Sequence, residues 1–410
     1  MNAAAARRID ACARAGARTS AGARNAGAQQ NNRSMSAMNI SELGQVFTPA
    51  AVVSAMLAMR RNHGRVLEPS AGGGAFMRAL ESDAVGIELD AGVVADRRVR
   101  VGDFFSYSLE NRFDTVIGNP PYVRYQDIRQ ATKRLLPMQW FDRRSNLYLF
   151  FVAKCMAHLD AGGELIFITP RDFLKSTNAK RLNEELYRQG SITHFTDLGD
   201  ARIFDNCTPN CAIWRWQRGR KNRRTVMGNL FCYQNGQIWF GDAPPSGDRL
   251  GDYAEVKVGA VSGADAIFAN RKHANVDMVC SKTRATGEAR RMIYNKQCDY
   301  LRRHKAALLN RRIRRFDESN WWQWGRRYHD QAGERVYVNC KTRNAKPFFV
   351  SETRAYDGSV LALFPKDGIS AGKIAAAMNR VDWRALGFVC DGRLMFTQKS
   401  LENAPVGAVA

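Results

Sequence analysis

The stretch that decides the fold is Phe113-Asp114-Thr115-Val116-Ile117-Gly118-Asn119-Pro120-Pro121-Tyr122. Its first six residues are mostly apolar, which predicts a short buried strand. Two successive prolines cannot continue a strand, so the chain must turn there. The turn therefore presents an amide, two rigid residues and an aromatic ring at the carboxyl end of a strand. That edge is where open α/β sheets place their ligands.

The chemistry of residues 119–122 suits the amino group of adenine. The lone pair of that nitrogen is delocalised into the ring, which makes the nitrogen a poor nucleophile. The side-chain oxygen of Asn119 and a backbone carbonyl can accept its two hydrogens and so localise the lone pair. The ring of Tyr122 can hold the base meanwhile. The alternative interpretation is a proline-rich turn after a strand, and these four residues alone leave both open.

In three segments upstream, a predicted strand is also followed by polar residues or glycines. A loop at Glu68-Pro69-Ser70-Ala71-Gly72-Gly73-Gly74 follows a predicted strand, and its glycines allow a ligand to approach the backbone. The loop has neither the P-loop pattern nor the dinucleotide spacing. Glu88 ends a second predicted strand, where nucleotide-binding folds hold ribose hydroxyls. Asp103 and Phe104 end a third, where a carboxylate can accept an adenine amine and a phenyl ring can cover the base.

Each of these features also has a plainer interpretation. The glycine loop can be a tight turn, and Glu88 can be a solvated carboxylate. Asp103 can be the N-cap of a helix. The order of the segments along the chain is what favours a ligand site over these alternatives.

Taken in order, these motifs resemble those of S-adenosylmethionine-dependent amino-methyltransferases. The segment Gly44-Gln45-Val46-Phe47-Thr48-Pro49 looks like the N-terminal cofactor motif of gamma-class DNA adenine methyltransferases. Segments 145–151, 162–170 and 394–406 also match. The chain most resembles the TaqI-like DNA methyltransferases of type II restriction-modification systems. The resemblance is specific over residues 44–217 and looser beyond them.

The resemblance implies a site-specific DNA adenine-N6 methyltransferase that uses S-adenosyl-L-methionine and flips its target adenine out of duplex DNA. It assigns the two N6 hydrogens to Asn119 and the Pro120 carbonyl, and base stacking to Tyr122. Its implied cofactor contacts are Thr48 at the methionine end, Glu68 and the Gly72 loop along the cofactor, Glu88 on the ribose, Asp103 and Phe104 on the adenine, and Pro121 and Phe151 against its rings. One departure concerns Ala179, which stands where a second stacking aromatic is expected.

The fold class that we predict is α/β, with a Rossmann-like seven-stranded methyltransferase sheet. Predicted strands and helices alternate up to about residue 217: strands near 65–68, 84–88, 113–118 and 164–169, with helices from 75, near 145–159 and near 178–189. The resemblance implies that the last strand is reversed. We expect a catalytic domain over 38–225 and a mixed α+β DNA-recognition domain over 240–410. We interpret residues 1–37 as a disordered Ala/Arg-rich tail or as the result of a mis-assigned start codon.

Composition is consistent with a polyanion partner. The 410 residues carry a formal net charge of +23, and only +5 of it falls within the first 34 residues. Such a chain is expected to bind phosphates by releasing counterions. Cys207 and Cys211 are the closest of nine cysteines, and no further ligands at metal spacing accompany them, so we expect buried thiols and no metal. The composition favours a reduced, cytoplasmic protein with no membrane span, and the resemblance implies that the protein is bacterial.

The C-terminal half combines basic runs with tryptophans. Arg311, Arg312, Arg314 and Arg315 suit phosphate contact, or alternatively a solvated helix, whereas Trp321, Trp322 and Trp324 favour core packing. We expect a monomer whose partner is double-stranded DNA, with a cognate restriction endonuclease acting on the same site. RNA and protein-glutamine methyltransferases, which also carry Asn-Pro-Pro-Tyr, remain alternatives. So does a catalytically silent DNA-binding specificity protein.

Overall fold

A computed structural model describes residues 48–199, 210–242, 247–366, 368–390 and 393–409. The chain divides into two compact units, with the boundary between residues 245 and 246. The predicted tail over 1–37 and most of the motif at 44–49 lie outside the described residues, and so does Cys207. Among the described residues, no helix combines the length and the apolar character needed to cross a membrane.

Seven strands of the first unit form one sheet within the described residues. They are β1 Val66–Glu68, β2 Val85–Glu88, β3 Val99–Val101, β4 Phe113–Gly118, β5 Leu159–Pro170, β6 Gly190–Asp197 and β7 Cys211–Arg218. Their order across the sheet is β3-β2-β1-β4-β5-β7-β6. Neighbouring strands from β3 to β5 run parallel, whereas β7 is antiparallel to both β5 and β6. This is the Rossmann-like sheet with a reversed last strand that we predicted.

The central strands form where apolar side chains run almost without interruption. In β4 five of six residues are buried, because a parallel strand in the middle of such a sheet is covered on both faces. The observed bounds of β1, β2 and β4 lie within one residue of the predicted ones. The predicted helix from residue 75 is wrong. Turns and a short 3-10 helix, Met77–Ala79, replace it. Gly72 and Gly74, in the loop just before it, adopt positive φ angles of 51° and 76°.

The helices of the first unit are α1 Ala50–Leu57, α2 Gln130–Lys133, α3 Leu147–His158 and α4 Lys180–Gln189. Of these, α3 is almost entirely buried, consistent with its run of aromatic and aliphatic residues. Its first turn is capped by Asn146, whose side chain accepts from the Tyr148 N–H. The predictions of helices near 145–159 and 178–189 are therefore confirmed.

A hairpin follows the sheet, formed by β8 Leu230–Gln234 and β9 Gln237–Gly241. Phe231 and Ile238 are fully buried in the core of the first unit. Asn183 of α4 donates to the Gly236 carbonyl at 3.0 Å, and Lys175 donates to the Ile238 carbonyl at 2.9 Å. The hairpin thus belongs to the first unit, and our predicted domain end near residue 225 lies too early.

An ion pair lies buried between β5 and the reversed strand β7. Glu164 is fully buried, Arg215 is almost so, and the guanidinium donates to the carboxylate. The other carboxylate oxygen of Glu164 accepts from the backbone N–H groups of Arg61 and Asn62 at 2.8 Å each. A buried charge is tolerated only when it is paired and hydrogen-bonded, as here. The pair therefore fixes the loop after α1 against the sheet.

The second unit is mixed α+β. Its strands are β10 Ala254–Val258, β11 Val276–Val279, β12 Arg290–Met292, β13 Val336–Asn339, β14 Lys341–Thr342, β15 Phe349–Val350, β16 Ala355–Tyr356, β17 Val360–Pro365, β18 Val389–Cys390 and β19 Arg393–Met395. They form sheets in the orders β10-β17-β13-β15, β12-β11-β16 and β14-β19-β18. The helices are α5 Leu250–Tyr253, α6 Asp265–Phe268, α7 Thr283–Thr286, α8 Asp299–Arg302, α9 Lys305–Leu309, α10 Ala371–Met378 and α11 Gln398–Glu402.

Candidate active site

Four polar side chains meet at one edge of the large sheet. Glu68, Glu88 and Asn119 end or directly follow β1, β2 and β4, and Asp103 follows β3 by two residues. Because these four strands are parallel neighbours in the sheet, their carboxyl ends lie side by side. The topology therefore brings together all the strand-end residues that the sequence singled out.

Glu88 holds the glycine loop with its carboxylate. One oxygen accepts from the Gly72 N–H at 2.7 Å, and the other accepts from the Asp90 N–H at 2.9 Å. The side chain is 7% exposed. The plain interpretation as a solvated turn carboxylate is therefore wrong. Glu88 connects the end of β2 to the loop that follows β1.

Glu68 is buried at the start of that loop and is 2% exposed. Its Oε2 has no hydrogen-bond partner among the described residues. Burial raises the pKa of the Glu68 carboxyl well above its usual range, and the nearby Glu88 carboxylate raises it further. An orphaned carboxyl oxygen at this edge indicates a place for a donor or a cation that the chain itself does not supply.

Asp103 and Phe104 are both engaged within the protein. One Asp103 oxygen caps a 3-10 helix by accepting from the Phe105 N–H at 2.9 Å, and the other accepts from the Thr132 hydroxyl at 2.5 Å. The N-cap interpretation of Asp103 is thus confirmed. Phe104 and Phe151 stack on each other with ring centroids 5.0 Å apart. A third ring would need about 7 Å between them, so none fits there.

Asn119 lies in a hydrogen-bond chain with Thr48 and Tyr122. One amide atom contacts Thr48 Oγ1 at 3.2 Å, and the other contacts Tyr122 Oη at 2.6 Å. Tyr122 Oη also lies 2.9 Å from the Ile168 carbonyl. The phenol has one hydrogen, and the Asn119 amide oxygen and the Ile168 carbonyl both lie within hydrogen-bond distance of it.

These hydrogen bonds orient the Asn119 amide. Nδ2 donates to Thr48 Oγ1, and Oδ1 accepts from the Tyr122 hydroxyl. Oδ1 carries two lone pairs, so it can accept from Tyr122 and from a substrate amine at the same time. Thr48 is brought to Asn119 from 71 positions away along the chain.

A buried tyrosine–carboxylate pair forms the wall behind Tyr122. The rings of Tyr122 and Tyr148 meet edge to face with centroids 6.1 Å apart. Tyr148 donates to Asp172 Oδ1 at 2.7 Å. Burial raises the pKa of both groups, and the Asp172 charge raises that of Tyr148 further. The sequence analysis did not single out this pair, and its only sequence signal is the position of Asp172 two residues after Pro170.

Ala179 is fully buried. A methyl group inside the core cannot stack on a base, so this position does not supply a second aromatic. The structure thus agrees with the departure noted in the sequence at this position.

The arginine run of the second unit is not uniform. Arg311 is 7% exposed, and its guanidinium donates to four backbone carbonyls, those of Leu308, Ser262, Gln323 and Trp321. Burial lowers the pKa of Arg311 to about 10. Our assignment of Arg311 to phosphate contact is wrong, because its donors are used inside the fold. Arg312, Arg314 and Arg315 are exposed.

The tryptophans that follow this run lie in the core of the second unit. Trp321 and Trp324 are 4% and 2% exposed, and Trp322 packs against the same cluster. The prediction of core packing is confirmed for Trp321 and Trp324.

Known proteins that resemble this chain are restriction-modification methylases, matched over part of its length. The family model "Eco57I restriction-modification methylase" matches residues 93–204, which include Asp103 and Asn119–Tyr122. Type II methyltransferase M.HincII of Haemophilus influenzae is 28% identical over 189 residues, 43% of this chain and 38% of that protein. Type II methyltransferase M.TthHB8I of Thermus thermophilus is 30% identical over 208 residues, 44% of this chain and 46% of that protein. The chain thus spans less than half the length of these relatives.

A solved structure is similar over most of the chain. The type IIL restriction-modification enzyme MmeI, in complex with DNA, superimposes with a TM-score of 0.57 at 9% identity, covering 89% of this chain and 65% of that one. At this identity the similarity shows the fold. The fold and the matched methylase family support S-adenosylmethionine as the cofactor.

Proposed function

We propose that this chain is a site-specific DNA adenine-N6 methyltransferase, the modification component of a restriction-modification system. The observation that carries the proposal is the meeting of Glu88, Asp103 and Asn119 at one sheet edge, with Pro120, Pro121 and Tyr122 next to them. The similarity to type II methyltransferases over about two fifths of the chain supports it.

The residues at this edge fit S-adenosylmethionine. The cofactor offers an ammonium group, a sulfonium and ribose hydroxyls, all of which are cations or hydrogen-bond donors. The orphaned Oε2 of Glu68 and the carboxylate of Glu88 are acceptors of matching character. A Cβ at Gly72 would meet no atom within 4 Å, so there is open space beside the loop. When bound, the cofactor supplies the methyl group.

Two oxygens of the motif are proposed to receive the N6 hydrogens. Asn119 Oδ1 accepts one while Thr48 keeps the amide in place. The Asn119 carbonyl is already used, because Ser70 Oγ donates to it at 3.1 Å. No donor among the described residues contacts the Pro120 carbonyl, which leaves that oxygen for the second hydrogen. Accepting both hydrogens raises electron density on N6 and points its lone pair at the methyl group.

Tyr122 is proposed to stack on the adenine once the base has left the duplex, since N6 cannot reach a recessed site while the base is paired. Its hydroxyl is anchored on the Ile168 carbonyl, so the ring position is fixed before the base arrives. No strong base is required, because the methylated nitrogen becomes acidic and loses its extra proton to solvent. Positioning therefore contributes most of the rate.

The test is transfer of label from S-adenosylmethionine to duplex DNA, followed by mass spectrometry of the nucleosides. We expect N6-methyladenine as the product. Label in RNA or in protein glutamine would establish one of the alternatives, and duplex binding without transfer would establish a silent binding protein. Asn119→Ala should abolish transfer and leave cofactor affinity within a few fold. Asn222→Ala, at an exposed position, is the matched control and should behave as wild type.

A further inference from the structure

A basic segment, residues 123–145, follows the catalytic motif directly. It carries six basic side chains, Arg124, Arg129, Lys133, Arg134, Arg143 and Arg144, against the two acidic side chains Asp127 and Asp142. Its net charge of +4 over 23 residues is about three times the average density of the chain. Neither the sequence motifs nor the chemistry of the site accounts for this charge.

Four of these arginines have no acidic partner. Arg124, Arg129, Arg134 and Arg143 are exposed, and none forms an ion pair with any described residue. Some exposed arginines elsewhere in the chain do pair with acidic side chains. In α4, for example, Arg181 pairs with Glu184 and Arg188 pairs with Glu185. Neighbouring cations without acidic partners repel each other, so their accumulation in one short segment indicates an anionic partner from outside the chain.

The backbone that carries these arginines is anchored at several points. Val123, Ile128, Leu136 and Phe141 are buried in the core of the first unit. The Thr132 hydroxyl donates to Asp103, and Asn178 donates to the Arg144 carbonyl at 3.1 Å. The buried and exposed positions alternate, so the buried side chains hold the arginines outward on a fixed scaffold. Fixed cations lose less entropy on binding than cations on a mobile tail.

The basic segment begins directly after Tyr122. Arg124 is two residues from Tyr122, so their Cα atoms are at most about 7 Å apart. The Leu147 N–H donates to the Val123 carbonyl at 2.8 Å, which returns the end of the segment to its start. A flipped nucleotide remains joined to its neighbours by phosphates, so the phosphates of the target strand must pass close to Tyr122.

We propose that Arg124, Arg129, Arg134 and Arg143 contact the phosphates of duplex DNA that flank the target adenine. This inference rests on the proposed function and extends it, because it locates a DNA-binding surface within the catalytic unit. Arginine suits this role since its planar guanidinium binds phosphate oxygens in a bidentate manner. Contacts of this kind position the strand and carry no base specificity.

The test compares three double variants of the full chain: Arg124→Gln/Arg129→Gln, Arg134→Gln/Arg143→Gln, and the control Arg181→Gln/Arg188→Gln. Binding to a fluorescent 30-base-pair duplex is measured between about 50 and 200 mM salt. Each phosphate contact contributes about 0.9 to the slope of log K against log salt, so each of the first two variants should lower the slope by about two. The control should keep the wild-type slope.

The outcomes distinguish a failure of the proposed DNA-binding surface from a failure of the proposed function. Wild-type slopes in both segment variants, with duplex binding intact, would overturn the proposed surface while leaving the proposed function standing. Lowered slopes in a chain that transfers no methyl group to DNA would support the surface and overturn the proposed function. Tighter binding to single-stranded RNA than to the duplex, with the same loss in the variants, would assign the surface to RNA and overturn the DNA proposal. Cofactor affinity that is unchanged in all three variants, and melting temperature that is unchanged in the two segment variants, verify that the fold is intact.

Discussion

Replacing Glu88 by glutamine separates its two roles. The carboxylate accepts from the N–H groups of Gly72 and Asp90 at 2.7 and 2.9 Å, and it is almost fully buried. A glutamine of the same shape has one acceptor oxygen, so one backbone N–H must face an NH₂ group and lose its partner. A hydrogen bond to a charged group contributes about 1.5–3 kcal/mol. Glu88→Gln should therefore lower the free energy of unfolding by about that amount.

Cofactor binding should fall as well. If Glu88 also accepts from the ribose hydroxyls, the loss of one charged hydrogen bond should raise the dissociation constant for S-adenosylmethionine roughly 10- to 150-fold. The assays are isothermal calorimetry for the cofactor and urea unfolding for stability. Glu110→Gln, at an exposed position, makes the same chemical change and should alter neither. Reduced stability with unchanged calorimetric affinity would refute the cofactor role and leave Glu88 as a brace for the glycine loop.

Three further predictions concern stability and domain limits. Burial and the nearby Arg215 charge lower the pKa of His194 from 6.5 to about 4, so its contribution to stability is complete above pH 6.5 and is lost as the pH falls toward 4. Between pH 6.5 and 4, the melting temperature of His194→Gln should accordingly fall less than that of wild type. Equal decreases in melting temperature for the two proteins would contradict the lowered pKa of His194. Glu164→Ala leaves the Arg215 charge buried and unpaired and should cost about 3–5 kcal/mol in urea unfolding; a cost below 1 kcal/mol would show that the pair is dispensable. A fragment of residues 48–242 should unfold cooperatively and bind S-adenosylmethionine, whereas one ending at 225 lacks the hairpin that buries Phe231 and Ile238 and should melt lower by scanning calorimetry; equal melting temperatures would count against this packing.

The strands were predictable because their signal is local. The apolar run predicts where β4 lies, and Pro120 limits its carboxyl end. Neither signal depends on the remainder of the chain. The hairpin was missed although its signal is equally local. Asn235 and Gly236 form its turn with φ angles of 53° and 84°, the positive pair that an Asn-Gly hairpin turn adopts between alternating strands.

Contacts between distant parts of the chain could not be predicted in this way. Thr48 meets Asn119 across 71 positions, and only the fold brings their atoms together. Arg311 looks the same in sequence as Arg312, although one points inward and the other outward. The carbonyls that hold Arg311 include that of Ser262, which is 49 positions away. Local patterns therefore located the strand ends of the candidate site, whereas the hydrogen-bond partners of each side chain required the tertiary structure.

The buried arginines of the second unit have a consequence for how a polyanion approaches. Arg311 and Arg335 are 7% and 2% exposed, and the hydrogen bonds of their guanidinium groups go to backbone carbonyls. Carbonyl dipoles solvate a cation without cancelling its charge. These two charges therefore still add to the potential outside the protein, over a Debye length of about 8–10 Å. They act on the rate of encounter with a negatively charged partner, whereas the lifetime of the complex depends on the arginines that reach its surface.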